Sequence, residues 1–235
     1  MFVKETLRTS DASSMLPGVK EASFFLSPIL ESRDHCADFV ERIPGVAICT
    51  NKEETLTRLA PHHTAAARSL GFNKTYHAEQ VHGSRIALIT KESPFMSPGV
   101  DALITAGNVL LGIHVADCGA LYLLDRKTGA IGLLHSGKKG TELNITGKVI
   151  EAMTRNFNTR PGDLVAVLAP CIRPPHYEVD FAASIREQAL ASGILPENYH
   201  DCGLCTASDL GRFYSYRREK GNTGRLLALL GHQPS

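Results

Sequence analysis

The sequence has no tryptophan and almost no excess of charge of either sign. Its 235 residues include 25 Lys and Arg against 24 Asp and Glu, a formal net charge of +1. This balance argues against a protein that holds nucleic acid or a membrane surface through a broad basic field. No apolar run approaches the ~20 residues that a membrane-spanning helix needs. We therefore expect neither a nucleic-acid partner nor a membrane partner.

We expect neither a secretory signal nor a disulfide framework. The opening residues, MFVKETLRTSDASSMLPG, contain no compact apolar core and no small-residue cleavage site. The six cysteines are sparse for a disulfide scaffold of this length. These features predict a cytoplasmic protein with reduced thiols. No linker rich in Pro, Gly or Ser divides the chain, so we expect one domain over residues 1–235.

Short β-rich runs separated by turn residues fill the centre of the sequence. They are apolar enough to form the core of a large mixed sheet, and they cover residues 85–90, 101–106, 110–116, 120–124, 130–134 and 164–168. Residues 1–20 are polar and predict a leader or an edge strand, and residues 199–230 predict a short mixed tail. Together with the helices below, the pattern predicts an α/β fold.

Helical signals lie on both sides of these runs. A helix is predicted over residues 52–69, because Thr50 or Asn51 can accept hydrogen bonds from its first amides. Pro61 lies inside this segment and is expected to kink or split the helix. Helical spacing also predicts helices over residues 143–157 and 181–192.

Three polar segments stand where predicted strands end, and each places His or Cys beside Gly: EQVHG (79–83), HVADCG (114–119) and LHSGKKG (134–140). His82, Cys118 and His135 could form a His₂Cys set, which suits zinc and leaves a fourth position open. Copper(I) is a second candidate for such soft ligands. The residues could instead be a Cys–His nucleophilic pair, or a core thiol with satisfied histidines.

Four ordered blocks carry a wider similarity. YHAEQVHGSRI, DALITAGNVLLGIHVADCGALYLLDRKTGAIGLLHSGKKG, LAPCIRPPHYEVD and CTASDLGRFYSYRREKGNTGR resemble the YfiH-like family. This family is also called the laccase-domain, multicopper polyphenol oxidase or peptidoglycan-editing-factor family. The resemblance covers residues 74–230, leaves residues 1–50 as a divergent N-terminal part, and implies an α/β (α+β) fold that is a layered α/β/β/α sandwich with mixed sheets.

The resemblance also implies a site and an activity. His82, Cys118 and His135 fall on the family's ligands for zinc, sometimes reported as copper, and are the implied catalytic residues together with Asp117. Family members are described as phosphorolysing adenosine, inosine, guanosine and methylthioadenosine and as deaminating adenosine. Laccase activity and removal of misincorporated residues from peptidoglycan precursors are also described. The implied partners are a purine nucleoside and phosphate, and we expect a monomer or a weak homo-oligomer.

Two segments depart from the family pattern. The family's H-A-G-W-R-G reads here HSGKKG (135–140), so Lys139 replaces arginine and the tryptophan is lost. A lysine lacks the planar fork of arginine, and the missing indole removes a flat face for a base. The family's N-terminal R-x-G-G-V-S stretch is not found, and Asn51 lies where its arginine would fall. Both departures concern the binding of substrate and anion.

Other polar residues have alternative interpretations. Asp117 either orients a ligand histidine or caps a turn, and His114 is expected in the core or behind the ligands. Gln80, Lys138, Lys139 and Arg217 are the candidate substrate-binding residues, although each could serve the loop backbone or solvent instead. Cys202 and Cys205 form a C-x-x-C, for which we do not favour a redox role because no thioredoxin-like context surrounds it.

The sequence thus predicts a zinc-dependent purine nucleoside enzyme. A copper-dependent phenol oxidase, a peptidoglycan-editing hydrolase and a non-catalytic metal-binding paralogue remain the alternatives.

Overall fold

A computed structural model describes residues 21–232 of the chain, so the leader or edge strand predicted for residues 1–20 lies outside the described residues. The helices and strands are α1 (Ser27–Leu30), β1 (His35–Val40), α2 (Lys52–Ser69), β2 (Tyr76–Ala78), β3 (Ile86–Leu88), β4 (Met96–Ser97), β5 (Ala102–Thr105), β6 (Leu110–Val115), β7 (Gly119–Asp125), β8 (Ile131–Ser136), α3 (Lys138–Glu142), α4 (Ile145–Phe157), β9 (Leu164–Leu168), α5 (Phe181–Ala191), β10 (Tyr199–Asp201) and β11 (Leu226–His232).

The strands form two mixed sheets. One is six-stranded, in the order β10-β9-β7-β8-β5-β3, and the other is five-stranded, in the order β1-β11-β6-β2-β4. Each contains both parallel and antiparallel pairs. The prediction of one large sheet is therefore wrong, because β6 leaves its sequence neighbours for the other sheet. An apolar run shows that a strand is buried, but it does not show which strand pairs with it.

The alternation of side chains along β7 explains the layers. Tyr122 and Leu124 belong to the core between the two sheets, while Leu121 and Leu123 belong to the core under α4 and α5. On the outer face of the five-stranded sheet, Ala67 of α2 packs with residues of β1, β6 and β11. Successive residues of a strand face opposite sides, so a strand buried on both faces is apolar throughout. The α/β/β/α sandwich implied by the resemblance is confirmed.

Helix α2 has the predicted bounds, although it does not split at Pro61. The Asn51 side chain accepts a hydrogen bond from the Glu54 amide and caps the first turn. Pro61 and Thr57 are both exposed, so water can satisfy the Thr57 carbonyl that loses its helical donor. Among the helices described, none combines the length and the apolar composition that crossing a bilayer requires.

Two strands that organise the five-stranded sheet were not predicted as such. Strand β1 has the mixed sequence HCADFV and carries no clear alternation. Strand β11 falls in the predicted mixed tail, yet it lies inside the sheet and pairs antiparallel with both β1 and β6. Strand β11 therefore joins β1 to β6, the strand that leads into the candidate site.

Candidate metal centre

The three residues proposed as ligands converge from separate strand ends. His82 follows β2, Cys118 joins β6 to β7, and His135 lies in β8. Their ligand atoms all lie within 4.8 Å of one another. The two imidazole rings are nearly perpendicular, at 78°, with centroids 4.8 Å apart. His135 is buried, Cys118 is half-buried and His82 is exposed, so the group is open on one side.

Unusual backbone conformations bring these side chains together. Gln80, His82 and Asp117 have positive φ angles of 65°, 58° and 89°. Such angles cost non-glycine residues of order 1–3 kcal/mol each, and they are found where the surrounding structure imposes them. Three such residues lie in the loops that carry His82 and Cys118, which indicates a functional site.

Gly137 provides the space for the Cys118 sulfur. A Cβ atom built on this glycine would lie 2.5 Å from Cys118 Sγ, far inside van der Waals contact. The φ of Gly137 is −100°, which any residue can adopt. Clearance for the sulfur, rather than backbone freedom, is therefore what this position requires.

Asp101 holds the two histidines, and it was missed by sequence analysis. This fully buried carboxylate accepts hydrogen bonds from the His82 amide (2.9 Å), the Gly83 amide (2.7 Å) and His135 Nδ1 (2.9 Å). Because Nδ1 donates to Asp101, His135 presents Nε2 as its free ligand atom. A carboxylate at the start of a predicted buried strand is the signal that could have identified it.

The charges of the cluster favour a thiolate. Burial raises the pKa of Cys118, but His135 and His82 outweigh it and hold that pKa below its usual range. Burial lowers the pKa of His135, but Cys118 and Asp101 outweigh it and the pKa is raised. A thiolate and two imidazoles are the donor set that zinc and copper(I) prefer.

Asp117 does not contact a ligand histidine, which was one of the two interpretations of this residue. Its carboxylate accepts hydrogen bonds from the Thr206 hydroxyl and the Arg217 amide, both at 2.7 Å, and not from a histidine. The interpretation that Asp117 orients a ligand histidine is therefore wrong, and Asp101 does so instead. Asp117 anchors the segment that carries Arg217 beside the ligand loop.

Gln80 also contacts backbone. Its side-chain amide donates to the His114 carbonyl and its oxygen accepts from the His114 amide (2.9 Å), which holds the loop after β2 against β6. The His114 ring stacks on His77 with centroids 4.9 Å apart and lies 5.3 Å from His63. Burial lowers the pKa of all three histidines, so the stack is neutral at neutral pH.

The ligand group lies in a cavity of about 500 Å³. The cavity is lined by aromatic and cationic side chains as well as by the ligands, and the cationic ones are Lys52, Lys138, Arg217 and Arg225. Lys138 and Arg217 were predicted to lie at the site, whereas Lys139 is exposed and is not part of the lining. Lys52 was not identified as a binding residue from the sequence, and Arg225 joins Arg217 as a second arginine of the tail block at the cavity. Asn51, which falls where the family has its N-terminal arginine, caps α2. The following residue, Lys52, lines the cavity.

The remaining cysteines are not part of the ligand cluster. All six cysteines of the chain are free thiols. Cys171 and Cys205 face each other across an isolated parallel bridge, and burial raises the pKa of Cys202 to about 11. Such a thiol is a poor nucleophile at neutral pH.

Fold and site together define a two-sheet α/β protein with a His₂Cys group that could hold a metal ion in a cationic cavity. The chain belongs to the family described as "Multi-copper polyphenol oxidoreductase laccase", whose model matches residues 48–183 and 179–233.

Curated relatives and solved structures agree with this assignment. The chain is 36% identical to a purine nucleoside phosphorylase of Deinococcus radiodurans, over 74% of this chain and 77% of the relative. It is 30% identical to the purine nucleoside phosphorylase YlmD of Geobacillus stearothermophilus, over 66% and 71%. The crystal structure of that YlmD superimposes with a TM-score of 0.78 at 25% identity, covering 86% of this chain and 93% of the other. The Bacillus licheniformis protein YfiH shares the fold, with a TM-score of 0.76 at 21% identity, over 86% and 94%.

Proposed function

We propose that this protein is a zinc-dependent purine nucleoside phosphorylase that cleaves adenosine, inosine, guanosine and methylthioadenosine. One observation carries the proposal: a His₂Cys ligand group and several cationic side chains share a single cavity. The relatives named purine nucleoside phosphorylase support the same reaction class. The six free thiols fit a reducing cytoplasm.

The residues present fit a zinc ion. His82, Cys118 and His135 would hold it, because their donor atoms lie close together and Asp101 fixes the ring of His135. When bound, zinc supplies an electrophilic centre that polarises a nearby oxygen atom.

The cations of the cavity suit the phosphate co-substrate. Within the described part of the chain, neither Lys52 nor Arg225 forms an ion pair, and burial lowers the pKa of each. Arg225 donates only to the backbone carbonyls of Thr223 and Gly224. A half-buried guanidinium without an acidic partner gains most from an anionic ligand. We assign Lys52 and Arg225 to phosphate and Lys138 to the open side of the same anion.

The reaction balances without another reactant. A phosphate oxygen bonds to ribose C1′ as the bond from C1′ to the purine nitrogen breaks, and the bond electrons leave with the base. The proton of hydrogen phosphate is transferred to the departing base. The cavity residues hold the two substrates in line, which favours attack by the bound phosphate.

The test is phosphate-dependent release of base from adenosine and inosine by the zinc-loaded protein. We expect ribose 1-phosphate and free base in equal amounts, and no release without phosphate. Ammonia release from adenosine measures the deamination that we propose as a second activity, in which water replaces the amino group at purine C6. If no nucleoside turns over with zinc fully bound, the proposal fails. Oxygen uptake with a phenol and copper would then favour the oxidase alternative.

A further inference from the structure

Three Tyr and Phe side chains line the cavity, and among them only Tyr216 has a largely exposed ring. Arg217 lies over the Tyr177 ring, 4.6 Å from its centroid, and the edge of Phe181 meets the same ring at 5.9 Å. Phe181 itself is only 2% exposed. Tyr216 is 57% exposed although it borders the cavity. A large exposed aromatic side chain at a cavity is a common mark of ligand contact.

The segment that carries Tyr216 is fixed in place by Glu219. The Glu219 carboxylate accepts hydrogen bonds from the Ser215 amide (3.1 Å) and the Thr223 hydroxyl (2.6 Å) and pairs with Arg42 at 2.7 Å. Rigid support of this kind holds a binding residue in position before the ligand arrives.

The same segment is tied to the ligand loop. Arg217, the neighbour of Tyr216, donates its amide to Asp117, the neighbour of Cys118, at 2.7 Å. One hydrogen bond therefore connects the backbone next to Tyr216 to the loop that carries Cys118.

We propose that Tyr216 is the residue on which the purine base stacks. This inference rests on the proposed function and deepens it. The chain has no tryptophan, and Tyr216 supplies the flat face that the HSGKKG segment lacks. Base–aromatic stacking contributes about 1–3 kcal/mol per base, which corresponds to a change of about 5- to 150-fold at about 1.4 kcal/mol per tenfold.

The absence of tryptophan gives a direct test. A Tyr216→Trp variant carries a single indole, whose fluorescence we expect adenine and hypoxanthine to quench saturably. The matched control is Phe95→Trp, at a 48% exposed position outside the cavity lining, where the same bases should leave no saturable component. Tyr216→Ala should raise the KM for inosine within the range above with kcat little changed, and Tyr216→Phe should restore it.

The outcomes separate this inference from the proposed function. If the wild-type chain turns over inosine while Tyr216→Ala keeps its KM and Tyr216→Trp shows no saturable quenching, the role of Tyr216 is overturned and the function stands. If Tyr216→Trp is saturably quenched by purines but the wild-type chain phosphorolyses none, the role of Tyr216 is supported and the function fails. If the wild-type chain binds no purine by equilibrium dialysis, both are overturned.

Discussion

The two walls of the cavity are built in different ways. On the ligand wall, His135 and Asp101 are buried and hydrogen-bonded at the ends of β8 and β5. The cationic wall consists of residues from helix starts and loops, of which Arg225 is half-buried and the others are exposed: Lys52, Lys138, Arg217 and Arg225. Buried, hydrogen-bonded groups tolerate few changes, whereas exposed cations can be exchanged with little effect on stability. Metal binding and substrate selection should therefore respond separately to mutation.

The largest effect should follow from Gly137→Ala on the ligand wall. The added Cβ would stand 2.5 Å from Cys118 Sγ, so the sulfur must leave the position in which it contacts the histidines. We expect zinc affinity to fall by more than about 100-fold, because even residues that only support a ligand cost 10- to 100-fold when changed. Competition with a chelator measures it. The control is Gly107→Ala, whose Cβ meets only ordinary contacts. Wild-type affinity in Gly137→Ala would contradict the geometry.

Asp101→Asn should have the next largest effect. The amide keeps the volume of the carboxylate but loses its charge and one acceptor, so His135 is held less firmly. We expect zinc affinity to fall by about 10- to 100-fold, measured with the same chelator. Asp117→Asn is the matched control, since Asp117 contacts Thr206 and Arg217 instead. Equal losses in both variants would show that the two carboxylates do not have separate roles.

A change on the cationic wall should leave the metal in place. Arg225→Gln removes a half-buried cation, and we expect the KM for phosphate to rise by about 10- to 100-fold, the value of a hydrogen bond to a charged group. Zinc content should stay at the wild-type level. Steady-state kinetics with varied phosphate provides the measurement. A loss of zinc together with the rise in KM would argue against two independent walls.

Lys139→Gln should have the smallest effect. This side chain is exposed and is not part of the cavity lining. Solvent-exposed charges contribute little interaction free energy, because water and salt screen them. We expect the KM for phosphate and for inosine to stay within about threefold of wild type in the same assay. A tenfold rise would return Lys139 to the substrate site that sequence analysis assigned to it.

Local signals in the sequence were reliable where one segment determines its own structure. The bounds of α2 and β9 agree with the predicted ranges 52–69 and 164–168, because capping and apolar periodicity act within a few residues. Strand pairing is not local, so the separation into two sheets and the interior place of β11 could not be derived from those patterns.

The candidate site shows the same division. His82, Cys118 and His135 could be identified as a set because they stand beside glycines at predicted strand ends and match the family blocks. The role of Asp101 could not be predicted, because it depends on which loop folds back over β5. The places of Lys52, Arg225 and Tyr216 likewise depend on the packing of α2 and the loop before β11 against the ligand wall.

Metal content of the purified protein tests the central claim most directly. Mass spectrometry of the native wild type and of Cys118→Ala, with circular dichroism to confirm that both are folded, compares the two. We predict about one zinc ion per wild-type chain, as expected for a single three-residue ligand group, and a large loss in the variant. A wild type without metal, or a folded variant with the same content, would contradict the assignment of this cluster as a metal centre.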